Sequence, residues 1–262
     1  MTTTRRQELI LDRLRQDGTI YTADLVKAFS VSSETIRKDL DKLEKEGRLE
    51  RIHGGAVPVR APSAGSGGAE VSPYLAFDVR NSQNLQQKAA IAAYAASLVE
   101  EKQVVALDYG STSQVLASVL KERFRELTII TNSIRNALVL AENPGFHIML
   151  TGGMLSREEY SLVNEFVPIT EFLHIDTFFM TVTGVDTTIG FTDQRLDEVK
   201  MQNQLRRASD RTIVLADHSK FGKRSMARLC SLQEVHMIIT DGGISEEIGR
   251  EVRNSGVKLV QV

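Results

Sequence analysis

The chain has 262 residues, with 32 lysines and arginines against 34 aspartates and glutamates, a formal net charge of −2. That length suits two domains, while so small a net charge does not by itself identify a nucleic-acid partner. No apolar run approaches the roughly 20 residues needed to cross a bilayer, the start lacks the apolar stretch of a secretion signal, and the lone Cys230 excludes a disulfide within the chain. A cytoplasmic protein is expected.

Taken in order, Arg6 to Gln16 carries Leu9, Ile10 and Leu14 at helical spacing, and Thr22 to Phe29 carries Leu25 and Val26 behind Thr22 as a candidate cap. The link Phe29-Ser30-Val31-Ser32 allows only a tight turn, so the next helix must cross the second steeply. In that third helix Ile36, Leu40 and Leu43 recur at i, i+4 and i+7, which turns Ser33, Glu34, Arg37, Lys38 and Asp41 outward. Ser32 or Ser33 suits its start, and Gly47 suits the left-handed position at its end. Arg48 to Ile52 reads as a strand, with Gly54-Gly55 reversing the chain before Val57 and Val59 to make a wing.

Singly, each feature is ordinary, because helical domains have apolar stripes and most exposed charges are solvated surface. Together they describe a winged helix-turn-helix over 1–60 whose partner is double-stranded DNA. Residues 1–60 carry 12 basic against 10 acidic side chains, a weak bias of the right sign. The expected reading surface is Ser33, Thr35, Arg37 and Lys38; Arg37 can pair with guanine, and Arg51, His53, Arg5, Arg6 and Arg48 can approach phosphates.

The stretch from Pro58 to Pro73 contains Pro62-Ser63-Ala64-Gly65-Ser66-Gly67-Gly68-Ala69, which has few groups to pack. Residues 61–73 are read as a flexible linker. From there 74–262 forms the second domain, with no internal repeat. Helical periods at Leu85–Leu98, Ser113–Leu120 and Ser133–Leu140 alternate with strand-like runs at Gln103–Leu107, Leu127–Thr131 and Phe146–Leu150. Further strands are expected at Asp176–Thr181, Thr212–Leu215, Met237–Thr240 and Val257–Val260. The alternation predicts an α/β sheet with helices on its faces.

Strand ends carry the second signal. Asp108-Tyr109-Gly110-Ser111-Thr112 leaves one strand and opens a helix, so amides and hydroxyls can face an oxyanion. Thr131-Asn132-Ser133 and Thr151-Gly152-Gly153 repeat the polar transition, and Asp217-His218-Ser219-Lys220 places a cation after another strand. Each has a plainer reading, as caps for Asp108, Asn132 and Ser133 and as turns for Gly110, Gly152 and Gly153. Their convergence favours a pocket for a small anion, with Asp186, Glu198, Lys200, Asp217 and Lys220 as further candidates. The dinucleotide pattern G-x-G-x-x-G and the P-loop are absent, so no cofactor is expected. His147, His174, His218 and His236 are dispersed, and no metal site is expected.

These motifs resemble the DeoR family of bacterial transcription regulators. The resemblance runs from Arg6-Gln7 through Thr35-Ile36-Arg37-Lys38-Asp39-Leu40, Leu43-Glu44, Gly47 and His53-Gly54-Gly55-Ala56. In the body it includes Asp108 to Thr112, Thr131-Asn132-Ser133, Gly152-Gly153, Ala216 to Gly222 and Thr240-Asp241. It implies a sensor domain of the ribose-5-phosphate isomerase fold, a repressor of carbohydrate operons relieved by a phosphorylated sugar or sugar acid, and a homodimer or homotetramer on bacterial chromosomal DNA. The chain departs from the family at two points. Met180-Thr181-Val182-Thr183 precedes Gly184 where a glycine-rich stretch is usual, and Gln202 aligns with the family's usual lysine, Lys200 lying two residues earlier. The alternatives are a sugar-phosphate isomerase-like enzyme carrying a DNA reader, motivated by the isomerase-like pocket, and a structural module without a ligand, which leaves the polar loops unexplained.

Overall fold

The computed structural model describes residues 3–17, 20–52, 54–57, 77–163 and 172–262. The expected linker and His53 lie outside the described residues. The chain divides into two compact units, Met1–Gly67 and Gly68–Val262.

In the first unit, α1 (Thr3–Asp17), β1 (Ile20–Tyr21), α2 (Thr22–Phe29) and α3 (Ser33–Lys45) are followed by β2 (Glu50–Ile52) and β3 (Gly55–Val57). The apolar stripes meet: Ile10, Leu25, Ile36, Leu40, Leu43 and Leu49 are all buried in one core. Burying each such side chain contributes roughly 1.5–3 kcal/mol, which is what holds so small a unit together. Ser32 caps α3, accepting from Thr35 N at 3.2 Å, and Gly47 takes φ 67° after its end. The wing is a three-stranded antiparallel sheet in the order β1-β3-β2. Two expectations are corrected. Thr22 is inside α2, whose cap residue is Tyr21. Arg6 is buried rather than free for phosphate, because its Nε donates to Asp39 Oδ2 while Gln7 donates to Asp39 Oδ1 at 3.0 Å.

The second unit begins with α4 (Phe77–Ser82) and α5 (Leu85–Ala96). Then β4 (Val104–Leu107), α6 (Ser111–Arg123), β5 (Leu127–Thr131), α7 (Ile134–Leu140) and β6 (Phe146–Leu150) alternate. A hairpin of β7 (Met154–Ser156) and β8 (Ser161–Val163) follows. Beyond it come β9 (Ile175–Thr181), β10 (Gly184–Asp186), β11 (Gly190–Asp193), α8 (Leu196–Arg207), β12 (Ser209–Leu215), β13 (Ala227–Cys230), β14 (Met237–Thr240), α9 (Glu246–Asn254) and β15 (Lys258–Gln261).

Seven strands form one parallel sheet in the order β15-β14-β12-β9-β4-β5-β6. Alternate strand residues feed two cores. Val105, Leu107, Ile129, Phe179, Ile213 and Leu215 pack with α5, α6 and α7, while Ala106, Ile130, Phe178, Met180 and Val214 pack with α8, α9 and the antiparallel sheet β10-β11-β13. Cys230 is buried there, its thiol pushed up to about 12 by burial. The chain builds outward from β4 to β5 and β6, then returns to place β9 on the other side of β4. The strand order therefore reverses between β4 and β9, and such a reversal opens a crevice at the carboxyl ends of the two strands.

Candidate functional site

On the reader, Ser33, Arg37 and Lys38 are exposed on α3, and Thr35 is half-buried with its hydroxyl 2.9 Å from that of Ser32. Lys38 lies 3.8 Å from Glu34, a loose exposed pair that leaves the ammonium available to a stronger anion. Arg51 sits lower on the wing: its amide donates to Glu44 Oε1 at 3.1 Å and its Nε is 3.6 Å from Asp41. The outward set therefore combines one hydroxyl and two cations on a single helix face.

In the body, the strand reversal is bridged by Asp108, which follows β4. Its Oδ1 accepts from Thr181 Oγ1 at 2.7 Å and from Gly110 N at 3.3 Å, and its Oδ2 accepts from Thr181 N at 2.6 Å and Gln202 Nε2 at 3.0 Å. One carboxylate thus ties β4, β9 and α8 together across the strand reversal. Burial outweighs these bonds and pushes its carboxyl up to about 6. Gly110 is where this packing leaves no room: an added Cβ would run into the Thr181 side chain. Gly110 is also the N-cap of α6 and supplies no side chain, so the first-turn amides that open the helix are left for another acceptor. Ser111 and Thr112 lie in that turn.

Around this bridge stand buried acids. Asn132 Nδ2 donates to Glu198 Oε2 at 3.0 Å and Ser161 Oγ donates to Glu198 Oε1. Burial pushes Glu198 up to about 8 against the Ser161 bond, with Asp197 and Asp193 adding to the rise. Asp193 Oδ1 accepts from Tyr109 Oη at 3.1 Å, Thr183 Oγ1 at 2.9 Å and Gln194 N at 2.6 Å, and burial raises it too.

Cations face the acids. Arg80 pairs with Glu159, and Lys88 donates to the carbonyls of Arg80 and of Gln83, the latter at 2.7 Å. Burial lowers Lys88 to about 8. Lys220 is half-buried in the short turn His218–Lys220, and its ammonium makes no hydrogen bond among the described residues. Burial lowers its pKa while Asp217 opposes the fall. For Asp217, burial works upward, yet the Lys220 charge, the Ser219 hydrogen bonds and Lys88 hold it below the usual carboxylate range. Asp217 Oδ1 accepts from Ser219 N at 2.9 Å and Asn84 Nδ2 at 3.0 Å.

Asp108, Gly110, Ser111, Thr112, Asn132, Glu198, Asp217 and Lys220 all lie at or just beyond the carboxyl ends of neighbouring strands or on α8 packed beside them, and Asp108 is the one whose surroundings differ from a ligand-facing position. Asp108 is fully buried with both oxygens engaged, so it orders the crevice instead of meeting a ligand hydroxyl. Ser133 caps α7, accepting from Asn136 N at 3.2 Å. Gly152 and Gly153, at φ 74° and 114°, make the turn into β7. Asp186 is held by Arg224, with Nε to Oδ2 at 2.7 Å, and by the amides of Thr188 and Ile189 in a tight turn of the small antiparallel sheet. Lys200 is exposed on α8, whereas Gln202 on the same helix is buried against Asp108. Lys220 is not on an open rim but part of the cluster.

Arg80, Lys88, Glu159, Ser161, Thr181, Asp193 and Gln202 were not singled out for this site by sequence reasoning. Lys88 stands in an ordinary helical segment and Arg80 in α4, which no sequence pattern marked; only the Gln202 and Thr181 departures from the family pattern pointed here. His174 is not isolated either. Its side chain groups with Asp176 and Asp210, potential ligand atoms lying within 4.8 Å of one another. That group is at the amino ends of β9 and β12, the edge opposite the crevice, and it is largely solvent-facing.

A winged helix-turn-helix unit joined to a parallel α/β unit with a polar crevice at its strand reversal defines a ligand-sensing transcription regulator. Residues 6–60 match the DeoR-like helix-turn-helix domain, and residues 83–242 match the DeoR C-terminal sensor domain. This chain belongs to the DeoR family of transcription regulators. Its relatives include the HTH-type regulator YulB of Bacillus subtilis, 32% identical over 100% of this chain and 98% of the relative. The glycerol-3-phosphate regulon repressor of Haemophilus influenzae is 30% identical over 97% of this chain and 95% of that one. Among solved structures, ribose 5-phosphate isomerase A of Methanocaldococcus jannaschii aligns over 53% of this chain and 55% of its own at a TM-score of 0.41 and 17% identity. Among the described residues no helix is long and apolar enough to cross a membrane.

Proposed function

We propose that this regulator represses a carbohydrate-utilisation operon and is released from its operator by a phosphorylated sugar or sugar acid. The observation that carries the reading is the uncapped start of α6 at the strand reversal, in a body whose buried charges also include the half-buried Lys220 after β12. Amides and a desolvated cation that have no hydrogen-bond or ion-pair partner among the described residues together favour a compact anion such as phosphate. In this reading Gly110, Ser111 and Thr112 hold the phosphate with Lys220, and Asn132 and Glu198 select sugar hydroxyls. Asp108 orders the crevice through Thr181 and Gln202. Asn132 Oδ1 and Gln202 Oε1 are buried without a hydrogen-bond partner among the described residues, which supports further acceptors turned to a ligand.

On the reader, Arg37 reads a base edge, Ser33 and Thr35 supply shorter contacts, and Lys38, Arg51 and His53 meet phosphates. A single reader spans few base pairs, so the chain acts as a homodimer or homotetramer assembled through the body. Exposed Met149, Leu150, Met154 and Leu155 on and after edge strand β6 support that assembly. Repression is relieved only if the effector binds the released form more tightly than the operator-bound form.

A thermal-shift screen of sugar phosphates on the full chain, followed by operator binding with each hit, tests this reading. A bound effector that leaves operator affinity unchanged rejects the switch, and a monomeric mass with and without DNA rejects the assembly. The raised carboxyls of Glu198 and Glu159 motivate a second reading, acid-base turnover of a sugar phosphate. Both Glu198 oxygens are engaged by Asn132 and Ser161, which favours holding a ligand over moving its protons. Turnover of pentose or hexose phosphates would reverse that preference.

A further inference from the structure

Arg80 stands in α4, the first described element of the body, and its guanidinium pairs with Glu159 in the turn between β7 and β8. Only 14% of the Arg80 side chain is exposed and none of the Glu159 side chain. Two other ties fix the junction without using the Arg80 head group. The Arg135 guanidinium lies 4.5 Å from the ring centroids of both Phe77 and Tyr160, and Lys88 donates to the Arg80 and Gln83 carbonyls at the end of α4. The Arg80 backbone is therefore held in place whichever anion its guanidinium meets.

Glu159 is a poor permanent partner for that guanidinium. Its Oε1 is buried and accepts no hydrogen bond among the described residues. Burial, with Glu198 and Asp193 adding like charge, pushes its carboxyl up to about 8. With no cation beside it such a carboxyl is protonated near neutral pH, whereas a phosphate stays anionic and offers oxygens that match the guanidinium fork. Arg80 also shares the electrostatic field of the crevice: Tyr109, Asp193, Asp108 and Glu198 all act on it, and its own charge acts on Lys220.

We propose that Glu159 is a built-in placeholder for the effector's anionic group, and that the ligand's phosphate or carboxylate takes the Arg80 guanidinium from it. The proposal rests on the effector reading above and deepens it by naming the charge that is exchanged. Glu159 stays buried and takes up a proton from solvent once it has lost its cation. Its neighbour Ser161 holds Glu198, so the exchange removes the Arg80–Glu159 ion pair from the contact between α4 and the β7–β8 hairpin and turns the Arg80 guanidinium toward the crevice, on a backbone that stays where it is. In sequence, α4 is the element through which the body continues from the reader.

The test is calorimetric titration of the full chain with inorganic phosphate at pH 7, in the parent protein and in Glu159→Gln, Arg80→Gln, Arg80→Lys and the Glu159→Gln/Arg80→Gln double variant. Glu159→Gln should bind phosphate about tenfold more tightly and Arg80→Gln about tenfold more weakly, with Arg80→Lys between them. Because Glu159 acts through Arg80, the double variant should match Arg80→Gln alone. An equal gain from Glu159→Gln in both backgrounds would show a general charge effect and overturn the exchange. If Ser111→Ala or Lys220→Ala weakens phosphate while both Arg80 variants and Glu159→Gln bind like the parent, the exchange falls and the effector site stands. Absence of phosphate binding in the parent and in Glu159→Gln would remove both.

Discussion

Gln202 Nε2 donates to Asp108 Oδ2 at 3.0 Å and to the Thr181 carbonyl at 2.9 Å, so one amide nitrogen bridges the ends of two adjacent parallel strands. A lysine in its place would bring a positive charge to a carboxylate that here receives only neutral donors. Asp108 is accordingly left above its ordinary value, at about 6, by burial.

That shift predicts a pH dependence of stability. A carboxyl raised in the folded state contributes stability that is fully present below its unfolded value of 3.8 and is lost as pH rises through about 6. The loss is on the order of 3 kcal/mol. Gln202→Lys should lower the Asp108 pKa and flatten the stability profile between those values. Chemical denaturation of both proteins at pH 4, 5, 6 and 7 measures this; parallel profiles would refute it.

Gly110→Ala should damage the crevice. The new Cβ would collide with Thr181, forcing the Thr181 hydroxyl off Asp108. Overpacking of this kind costs about 1–3 kcal/mol. A lowered melting temperature with loss of any phosphate-induced stabilisation is expected, and a variant that melts and binds like the parent would show that the strand ends give way freely.

The buried Arg6 and Asp39 pair predicts a reader that fails when either partner is removed. Leaving one charge buried and uncompensated costs about 3–5 kcal/mol. Arg6→Ala or Asp39→Ala in the full chain should therefore abolish operator binding and lower the first unfolding transition, although neither side chain is exposed to DNA. Retained stability with weakened DNA binding would instead make Arg6 a phosphate contact.

Arg37→Ala should relax base preference by about 1–3 kcal/mol at one position, while Lys38→Ala should weaken all duplexes similarly and reduce the salt slope by about 1. Anisotropy titrations with operator and scrambled duplexes at several salt concentrations separate the two. Arg51→Ala is a less specific probe, because the Arg51 guanidinium also pairs with Asp41 on α3.

Several elements were legible because their signal is local. The stripe Ile36, Leu40 and Leu43 marks α3, and apolar runs at Leu127–Thr131, Phe146–Leu150 and Met237–Thr240 mark strands with the same bounds. The hairpin β7–β8, the sheet β10-β11-β13 and the helices α4 and α9 were not read, being short or polar enough that tertiary packing defines them. At the site, loops that directly end strands were legible, since a glycine or hydroxyl after an apolar run has few other reasons to be there.

By itself, then, the sequence determined the reader, the alternating α/β body and the polar strand ends that converge on a crevice, all set by periodicity and by the residue types that turns demand. Only the tertiary structure decided what each polar group does. It turned Asp108 inward, buried Arg6 against Asp39, left Lys200 exposed while seating Gln202, and brought Arg80 to Glu159 from 79 residues away. The physical reason is that backbone pattern is a local property, whereas the partner of a buried charge depends on which distant segment shares its desolvated space.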